Sequence, residues 1–360
     1  MSGGLRTGLI AIFENAIREY REAVRLDPDF AAAYKKLGNA YRSKGGCWFD
    51  HAYYPHEKNE GCAREAVSAY TEALRIDPED CDTLIDRGGV HFSAGQYDLA
   101  VADYTEAIRL CSGDPCEIYG RRAKTYKKMG RFDLSAEDYT EQIRLKPNAG
   151  LYKARAIIYE AMGRHDLARG DYTKRIKLEP ENFRYYADRA EFYARTGRYG
   201  PAINDYVKAS NRSNPYDIGY IFNSDDGEGK DIYSRMGDLY SAGGKYEWAV
   251  REYTTFLLYM EQRGILTEEY LDVPMGEEDV DSETAAEDEF YAADLVLDGE
   301  DFEARWARMR HNERCYCASI YVKRGRLYRT LGMEDKAKDD FETALELNPK
   351  NKEARVLLGG

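Results

Sequence analysis

The chain has 360 residues, of which 43% are hydrophobic and 32% charged, and its formal net charge at pH 7 is −13. This balance is typical of a folded soluble protein and excludes a long disordered chain, while the lack of any run of 18 apolar residues excludes a membrane-spanning helix. A short apolar run near the N-terminus is unlike a secretory signal, and seven irregularly spaced cysteines are unlike a disulfide framework, so we expect a cytoplasmic protein.

The first predicted element is a helix within residues 1–30, which ends in the sequence AIREYREAVRLDP. A similar sequence motif recurs later as AVSAYTEALRIDP and AKDDFETALELNP. In each copy a small residue is followed four positions later by Tyr or Phe, as in Ala66 and Tyr70, and often by another small residue such as Ala73. Spacings of four and three place these residues on one helix face, so the copies predict a packing code rather than a catalytic motif.

A second pattern begins at residue 31 and precedes each later copy of the first. It has an aromatic residue or Leu, then Gly or Ala four positions on, then an aromatic residue or His, as in Tyr34, Gly38 and Tyr41. Gly-containing turns such as GQY and GRF separate the two patterns, and a proline often follows the second. Because Gly adopts the left-handed conformation that ends helices and Pro stops them, the alternation predicts helical hairpins.

The register of the two patterns predicts seven hairpins with three insertions. We expect an N-terminal helix as a half repeat at 1–30, hairpins one to six within 31–263, an acidic insert with helices at 264–317, a last hairpin at 318–351 and a short tail at 352–360. The other two insertions lie in the first turn, at about 46–62, and in a connection at 217–229. The individual hairpins are predicted at 31–80, 81–115, 116–148, 149–182, 183–216, 230–263 and 318–351.

This order of aromatic, Gly or Ala, Tyr, Ala, Tyr or Phe, Ala and Pro resembles the tetratricopeptide repeat, a helix-turn-helix unit of about 34 residues. The resemblance implies an all-α, right-handed superhelical solenoid of about seven units. It also implies a non-enzymatic scaffold that binds a peptide or protein partner along a groove lined by the first helices, within a larger assembly. The alternative is a regulatory or accessory subunit of an enzyme complex, or a chaperone adaptor.

Residues that suggest other chemistry are explained by the repeat. Many of the 31 tyrosines occupy its packing positions, so we expect no nucleic-acid surface. His91 and His165 replace aromatic residues of the pattern, which predicts packed histidines. We find no catalytic motif, and GEGK at 227–230 lacks the strand and the Ser or Thr of a phosphate loop. We therefore expect no enzyme, no cofactor and no membrane partner.

Basic residues and one asparagine on the first helices are the candidate partner-binding residues. Helical spacing brings them together in three hairpins, the first, third and last. They are Lys35, Asn39 and Arg42, then Arg121, Lys124 and Lys128, then Arg326 and Arg329.

Part of this set resembles the clamp with which some family members hold the C-terminal carboxylate of heat-shock chaperones. Lys35, Asn39 and Arg121 match the clamp, but Asp86 and Glu117 stand where its second Asn and its Lys belong. Because two acids repel a carboxylate, we expect no binding of an EEVD-ending peptide.

The insertion in the first turn contains four residues of zinc-ligand type, Cys47, His51, His56 and Cys62. Four such ligands could close a tetrahedral site, but the spacing lacks a CxxC pair. A tyrosine-rich loop that packs on its neighbours is the alternative, and a disulfide between Cys47 and Cys62 is a third possibility.

The acidic insert has eight acids in the thirteen residues EEDVDSETAAEDE, and sixteen acids without any Lys or Arg between 264 and 304. Asp279, Asp281 and Glu283 begin like a calcium loop, but Thr284 and Phe290 replace its Gly and its final Glu, so we expect no calcium site. Two hypotheses stay open, an internal ligand of the groove and a solvated loop with a short outer helix.

The helical pattern after the acidic insert, with Phe302 and Trp306, predicts an unusually long first helix in the last hairpin. At the end of the chain, Val356, Leu357 and Leu358 predict one of two arrangements. Either they meet another copy or another protein, since repeat arrays need covered ends, or the tail folds back.

Overall fold

The computed structural model describes residues 2–45, 60–212, 231–262, 266 and 302–359, with side chains from residue 12 onward and, in the last range, from residue 312. Within these residues all regular secondary structure is α-helical. The chain divides into two compact units, Met1–Glu179 and Pro180–Gly360. The predicted all-α fold is therefore confirmed.

The first unit contains one single helix followed by four helical hairpins. Each hairpin consists of two helices that pack closely on each other, and successive hairpins pack side by side. The helices are α1 (Ser2–Leu26), α2 (Ala31–Lys44), α3 (Glu60–Ile76), α4 (Cys81–Ser93), α5 (Tyr97–Leu110), α6 (Cys116–Lys128), α7 (Phe132–Leu145), α8 (Ala149–Ala161) and α9 (His165–Leu178).

The second unit contains three hairpins within the described residues, followed by a short last helix. The predicted long helix is confirmed, since it runs for 29 residues from Phe302 to Thr330. The helices are α10 (Phe183–Arg195), α11 (Tyr199–Ser210), α12 (Ile232–Ala242), α13 (Tyr246–Gln262), α14 (Phe302–Thr330), α15 (Glu334–Leu347) and α16 (Lys352–Gly359).

Four of the hairpins close around an aromatic ring of the second helix that lies on a glycine of the first. Tyr70 and Tyr104 are fully buried, and a Cβ added to Gly38 would lie only 2.5 Å from the Tyr70 ring. At Gly88 the corresponding distance to Tyr104 is 2.8 Å. The spacing of an aromatic residue and Gly in the sequence therefore exists because the two helices approach too closely for a larger side chain at that point.

The turns inside the hairpins use glycine for its backbone freedom. Gly95 has φ of +75°, and the next residue, Gln96, donates its N–H to the carbonyl of His91. Five further turn glycines have φ between +69° and +75°, a region that other residues adopt only with strain. They are Gly130, Gly163, Gly197, Gly244 and Gly332. The predicted left-handed Gly turns are thus confirmed.

A buried arginine–aspartate ion pair recurs inside the hairpins, always with a spacing of 16 residues. The arginine lies on the first helix and holds both carboxylate oxygens of the aspartate on the second, as Arg155 does with Asp171 at 2.8 Å for each N–O distance. The pairs are Arg87–Asp103, Arg122–Asp138 and Arg155–Asp171 in the first unit, and Arg189–Asp205 and Arg324–Asp340 in the second.

The same arginine also joins its hairpin to the preceding one and packs between tyrosines. The remaining nitrogen, Nη1 of Arg155, donates to the hydroxyl of Thr140 on α7 at 2.8 Å. The guanidinium lies 5.9 Å from the ring centroid of Tyr152 and 5.6 Å from that of Tyr159. Matching bonds from the arginine to a threonine of the preceding hairpin occur at Arg87, Arg122 and Arg324. One residue thereby orders its own hairpin and the neighbouring helix.

Removing one partner of this pair should leave a buried charge without compensation. We expect Asp171→Ala to lower the free energy of unfolding by about 3–5 kcal/mol, since breaking a buried pair costs more than the pair contributes. Adding Arg155→Met should recover at least about 1 kcal/mol, because the orphaned guanidinium is removed. Met is the residue that the hairpin α12–α13 carries at this position, as the buried Met236. Urea denaturation measures both variants.

The exposed pair Arg144–Glu141 in the same unit is the control. Glu141→Ala should change the free energy of unfolding by less than about 1 kcal/mol, since solvated ion pairs contribute little. Equal losses in Asp171→Ala and Glu141→Ala would contradict a structural role for the buried pairs.

Candidate functional site

Two of the candidates on α2, Lys35 and Arg42, lie on the side of the helix that is next to α4. We call this side of the first helices, which carries Lys35, Asp86 and Lys128 in the first unit, the first-helix face. Lys35 is ion-paired with Asp80, with its Nζ 3.0 Å from Oδ2, and Arg42 is ion-paired with Asp86. Both candidate cations of α2 are thus partly neutralised by acids at α4, which ties two hairpins together across this face.

Asn39, the third candidate on α2, has an internal role. Its side-chain oxygen accepts a hydrogen bond of 2.6 Å from the hydroxyl of Tyr70, the ring buried between α2 and α3. The residue that resembles part of a carboxylate clamp therefore positions a core tyrosine. Asp86, which departs from the clamp pattern, is the ion-pair partner of Arg42.

The candidates on α6 behave differently from those on α2. Arg121 forms an ion pair with Glu117 of its own helix at 2.6 Å, and Lys124 is half-buried. Lys127 and Lys128 are exposed, and neither forms an ion pair within the described part of the chain. The last turn of α6 is consequently a part of the first-helix face where positive charge stays in solvent.

In the second unit the first helices are also joined by ion pairs. Arg235 of α12 donates twice to the carboxylate of Glu191 on α10, with N–O distances of 2.6 and 2.5 Å. Lys323 of α14 contacts Asp238 of α12 at 2.8 Å. Burial alone would lower the pKa of Arg235, but the hydrogen bond and charge of Glu191 outweigh it and raise the pKa. This pairing repeats the arrangement seen between α2 and α4.

The two candidates on α14 contact the C-terminal helix α16. Arg326 is ion-paired with Glu353, and Arg329 donates to the backbone carbonyl of Leu357 at 2.9 Å. Leu357 also packs against the apolar core of the last hairpins, together with Leu358, and Ala354 is fully buried. The tail thus folds back onto α14 and α15, one of the two arrangements that the sequence allowed.

Val356 is different from its neighbours, since it is 73% exposed. Its contact with another copy stays a prediction.

The histidines differ from each other. His91 is buried and its Nδ1 lies 2.6 Å from the side-chain oxygen of Gln96, as expected for a packed residue. His165 is exposed at the start of α9, so the prediction that it is packed is wrong. It occupies the first residue of the helix, where the chain leaves the turn and the side chain points to solvent.

Most residues of the predicted metal site and of the predicted insertions lie outside the described residues. Cys47, His51 and His56 lie outside the described residues, as do the connection 217–229 and the acidic stretch 277–289. Cys62 lies in α3, where burial raises the pKa of its thiol. Among the described residues no group of three or more His, Cys, Asp or Glu is arranged to hold a metal ion.

No helix among the described residues is both long enough and apolar enough to cross a membrane.

Repeated helical hairpins with a ring-on-glycine contact and internal ion pairs define an all-helical repeat protein. Models of the tetratricopeptide repeat match residues 13–45, 60–115, 117–148, 153–218 and 318–351. The chain belongs to the tetratricopeptide repeat family.

Solved structures with a similar fold include other proteins of this kind. A crystal structure of MamA protein is 21% identical, over 51% of this chain and 91% of that one, with a TM-score of 0.41. A tetratricopeptide repeat protein from Parabacteroides merdae is 16% identical, over 89% and 97% of the two chains, with a TM-score of 0.43. YrrB, described as a TPR protein with an unusual peptide-binding site, is 15% identical over 54% and 92%, with a TM-score of 0.41. No curated protein sequence matches the chain.

Two aspartates at the start of first helices provide a test of how ion pairing and burial change the pKa of a carboxyl group. Asp80 and Asp231 both accept hydrogen bonds from backbone N–H groups of the helix they cap. Burial alone would raise the pKa of Asp80, but hydrogen bonds from Thr83 and Lys35 outweigh it and lower the pKa. Asp231 is only 2% exposed, and burial raises its pKa to about 6.

These directions predict opposite pH effects. The folded pKa of Asp231 is above its value in the unfolded chain, so its stabilisation is complete below about pH 4 and is lost as the pH rises through about 6. Asp231→Asn, which keeps a capping oxygen, should raise the free energy of unfolding by about 2 kcal/mol at pH 7.5 and leave it nearly unchanged near pH 4.

Asp80→Asn is the matched control. The lowered pKa of Asp80 means that its charge stabilises the fold above the unfolded-state pKa and that this is lost as the pH falls. This variant should therefore be less stable than the wild type at pH 7.5. Denaturation midpoints between pH 4 and 8 measure both, and a constant difference between Asp231→Asn and wild type would contradict the assignment.

Proposed function

We propose that this chain is a non-enzymatic scaffold that binds an acidic segment of a protein partner on the first-helix face, at the end of α6, within a larger assembly. Proteins of the tetratricopeptide repeat family generally bind protein or peptide partners and are not enzymes, which supports the general role. The observation that carries the particular site is the difference between the paired cations of α2, α12 and α14 and the exposed Lys127 and Lys128 of α6, which form no ion pair within the described residues.

The proposed site consists of Lys124, Lys127, Lys128 and Arg131, which we call the α6 cationic end. Lys127, Lys128 and Arg131 are exposed, and the guanidinium of Arg131 lies 5.5 Å from the ring centroid of Tyr126. An extended acidic segment would meet the three lysines at the end of α6 and Arg131 just before α7, without first breaking an ion pair of Lys127 or Lys128. Each exposed contact contributes little by itself, so affinity would come from several together.

The cations of α2 are poorer candidates for the same role. A carboxylate that approached Lys35 or Arg42 would have to compete with Asp80 and Asp86, which are already in place. The acids also repel a negative partner, whereas solvated lysines attract it and increase the rate of encounter. The α6 cationic end is thus favoured over the other basic residues of the first unit.

A photo-crosslinking residue placed at Lys128 tests the site in cells. We expect it to capture a protein partner, and Lys124→Glu in the same chain should abolish the capture. The control position is Lys177 near the end of α9, a second-helix lysine that is also exposed and without an ion pair within the described residues. Equal capture from positions 128 and 177, or capture that survives Lys124→Glu, would contradict the proposal.

A second candidate function is that the chain's own acidic insert acts as a ligand of the groove lined by the first helices. The observation that favours it is charge, because the segment 264–304 has sixteen acids and no Lys or Arg. Tethering would make weak contacts effective by raising the local concentration of the segment. The insert would then compete with an acidic partner and regulate access to the groove.

A labelled peptide of residues 277–289 distinguishes the two candidates by fluorescence anisotropy. If the insert is an internal ligand, deletion of residues 267–300 should tighten peptide binding by about tenfold or more, since effective concentrations of tethered ligands are high. If only an external partner binds, the deletion should leave the affinity unchanged. In both cases Lys128→Glu should weaken binding and Lys177→Glu should not, and added salt should weaken it.

A further inference from the structure

Two cysteines meet at the open end of the hairpin α4–α5. Cys81 is the first residue of α4, and Cys111 directly follows the last residue of α5. The thiol of Cys81 donates to the carbonyl oxygen of Ala107 at 3.5 Å, and the backbone N–H of Cys111 donates to the same oxygen at 2.9 Å. Both residues therefore donate a hydrogen bond to the same carbonyl group. They also pack against the same apolar cluster, around Leu74 and Leu84.

The next hairpin repeats this geometry with one difference. Cys116 begins α6 and its thiol donates to the carbonyl of Gln142 at 3.8 Å, while the backbone N–H of Lys146 donates to the same oxygen at 2.9 Å. Lys146 thus occupies the position of Cys111, and its amine pairs with Asp114. The thiol that begins a hairpin is a packing feature in both repeats, but in α4–α5 it faces a second sulfur.

Both thiols of this pair are free and partly exposed, so a small molecule can reach them. Burial, followed by the contact with the Cys111 thiol, raises the pKa of Cys81 to about 11. Cys81 is consequently protonated near neutral pH and is a poor first nucleophile, because the thiolate is the form that attacks disulfides. We therefore assign the first attack to Cys111, and Cys81, which lies beside it, resolves the product.

We propose that Cys81 and Cys111 form a reversible disulfide and that a low-molecular-weight disulfide such as oxidised glutathione is the oxidant. The Cys111 thiolate attacks one sulfur of the glutathione disulfide, whose S–S bond breaks and releases one glutathione thiolate. Cys81 then gives its proton to solvent and attacks the Cys111 sulfur, which releases the second glutathione. Two protein thiols are oxidised and one glutathione disulfide is reduced to two glutathione molecules.

The cross-link would join the first residue of α4 to the end of α5 and close the hairpin covalently. A disulfide across a loop of this length restricts the unfolded chain and thereby stabilises the folded one. It would also fix the position of Cys111, from which the chain continues towards α6. The redox state of the pair would thus set the stability of the hairpin next to the α6 cationic end, whether or not that end binds a partner.

The test is to treat the reduced full-length chain with oxidised glutathione and map its peptides without reduction. We expect one peptide pair joined through Cys81 and Cys111, a loss of about 2 Da for the two hydrogens removed, and reversal by dithiothreitol. The apparent unfolding temperature should rise by several degrees on oxidation. This mapping uses the wild-type chain, so it does not depend on whether a variant folds.

Variants then separate a cooperating pair from single reactive thiols. Cys81→Ser should leave Cys111 as a stable mixed disulfide with glutathione, while Cys116→Ser should leave the cross-link unchanged. Stable glutathione adducts at Cys111 in the wild-type chain would overturn the proposal. So would a disulfide between Cys111 and any other cysteine, or the absence of modification at both positions.

Discussion

The buried pair of arginine and aspartate, 16 residues apart, is the interaction on which the hairpins depend. A guanidinium is costly to bury unless its donors are all used, and here they are used by two carboxylate oxygens and, in several hairpins, by a threonine of the neighbouring one. Because the aspartate and the threonine lie on different hairpins, the arginine specifies both the pairing of two helices and the register of the next. The flanking tyrosines, such as Tyr152 and Tyr159, cover the guanidinium and complete its surroundings.

Ion pairing between hairpins likewise explains why few charged groups of the first-helix face are available to a partner. Lys35, Arg42 and Arg235 lie on this face, and each pairs with an acid of an adjacent hairpin. These contacts keep neighbouring first helices in place, and they leave Lys127 and Lys128 as exposed cations of this face that form no ion pair within the described residues. In a repeat array, stability and recognition thus draw on the same helix surface, and residues used for one are less available for the other.

Local patterns predicted the hairpins well because each rule concerns residues that are close in sequence. The spacing of Gly38 and Tyr70 across a hairpin, the glycine turn at Gly95 and the long helix that begins at Phe302 all follow from helix periodicity and backbone sterics. His165 shows the limit of the same reasoning. Its position in the pattern indicated a packed ring, but whether a side chain at the start of a helix is covered depends on what lies beside it.

Pairing of charged side chains, both within a hairpin and between hairpins, was the part that the sequence did not reveal. The regular spacing between Arg155 and Asp171, or between Arg87 and Asp103, is visible in the printed sequence, yet nothing in one repeat shows that the two residues meet. The basic residues of α2 and α14 resembled open binding residues because their acidic or backbone partners belong to elements that are distant in sequence. A search for charges that recur with constant separation would have found the arginine–aspartate pairs in advance.

By itself, the sequence determined the class of protein, the order of the helices and the closing residues of each hairpin, since helix periodicity, glycine turns and ring-on-glycine packing act over short distances. Only the tertiary structure decided which charges are paired internally, how the C-terminal helix pairs with Arg326 and Arg329, and which two of the described cysteines lie side by side. The physical reason is that ion pairs and thiol contacts require two groups within a few ångströms, and only the packing of the hairpins sets those distances.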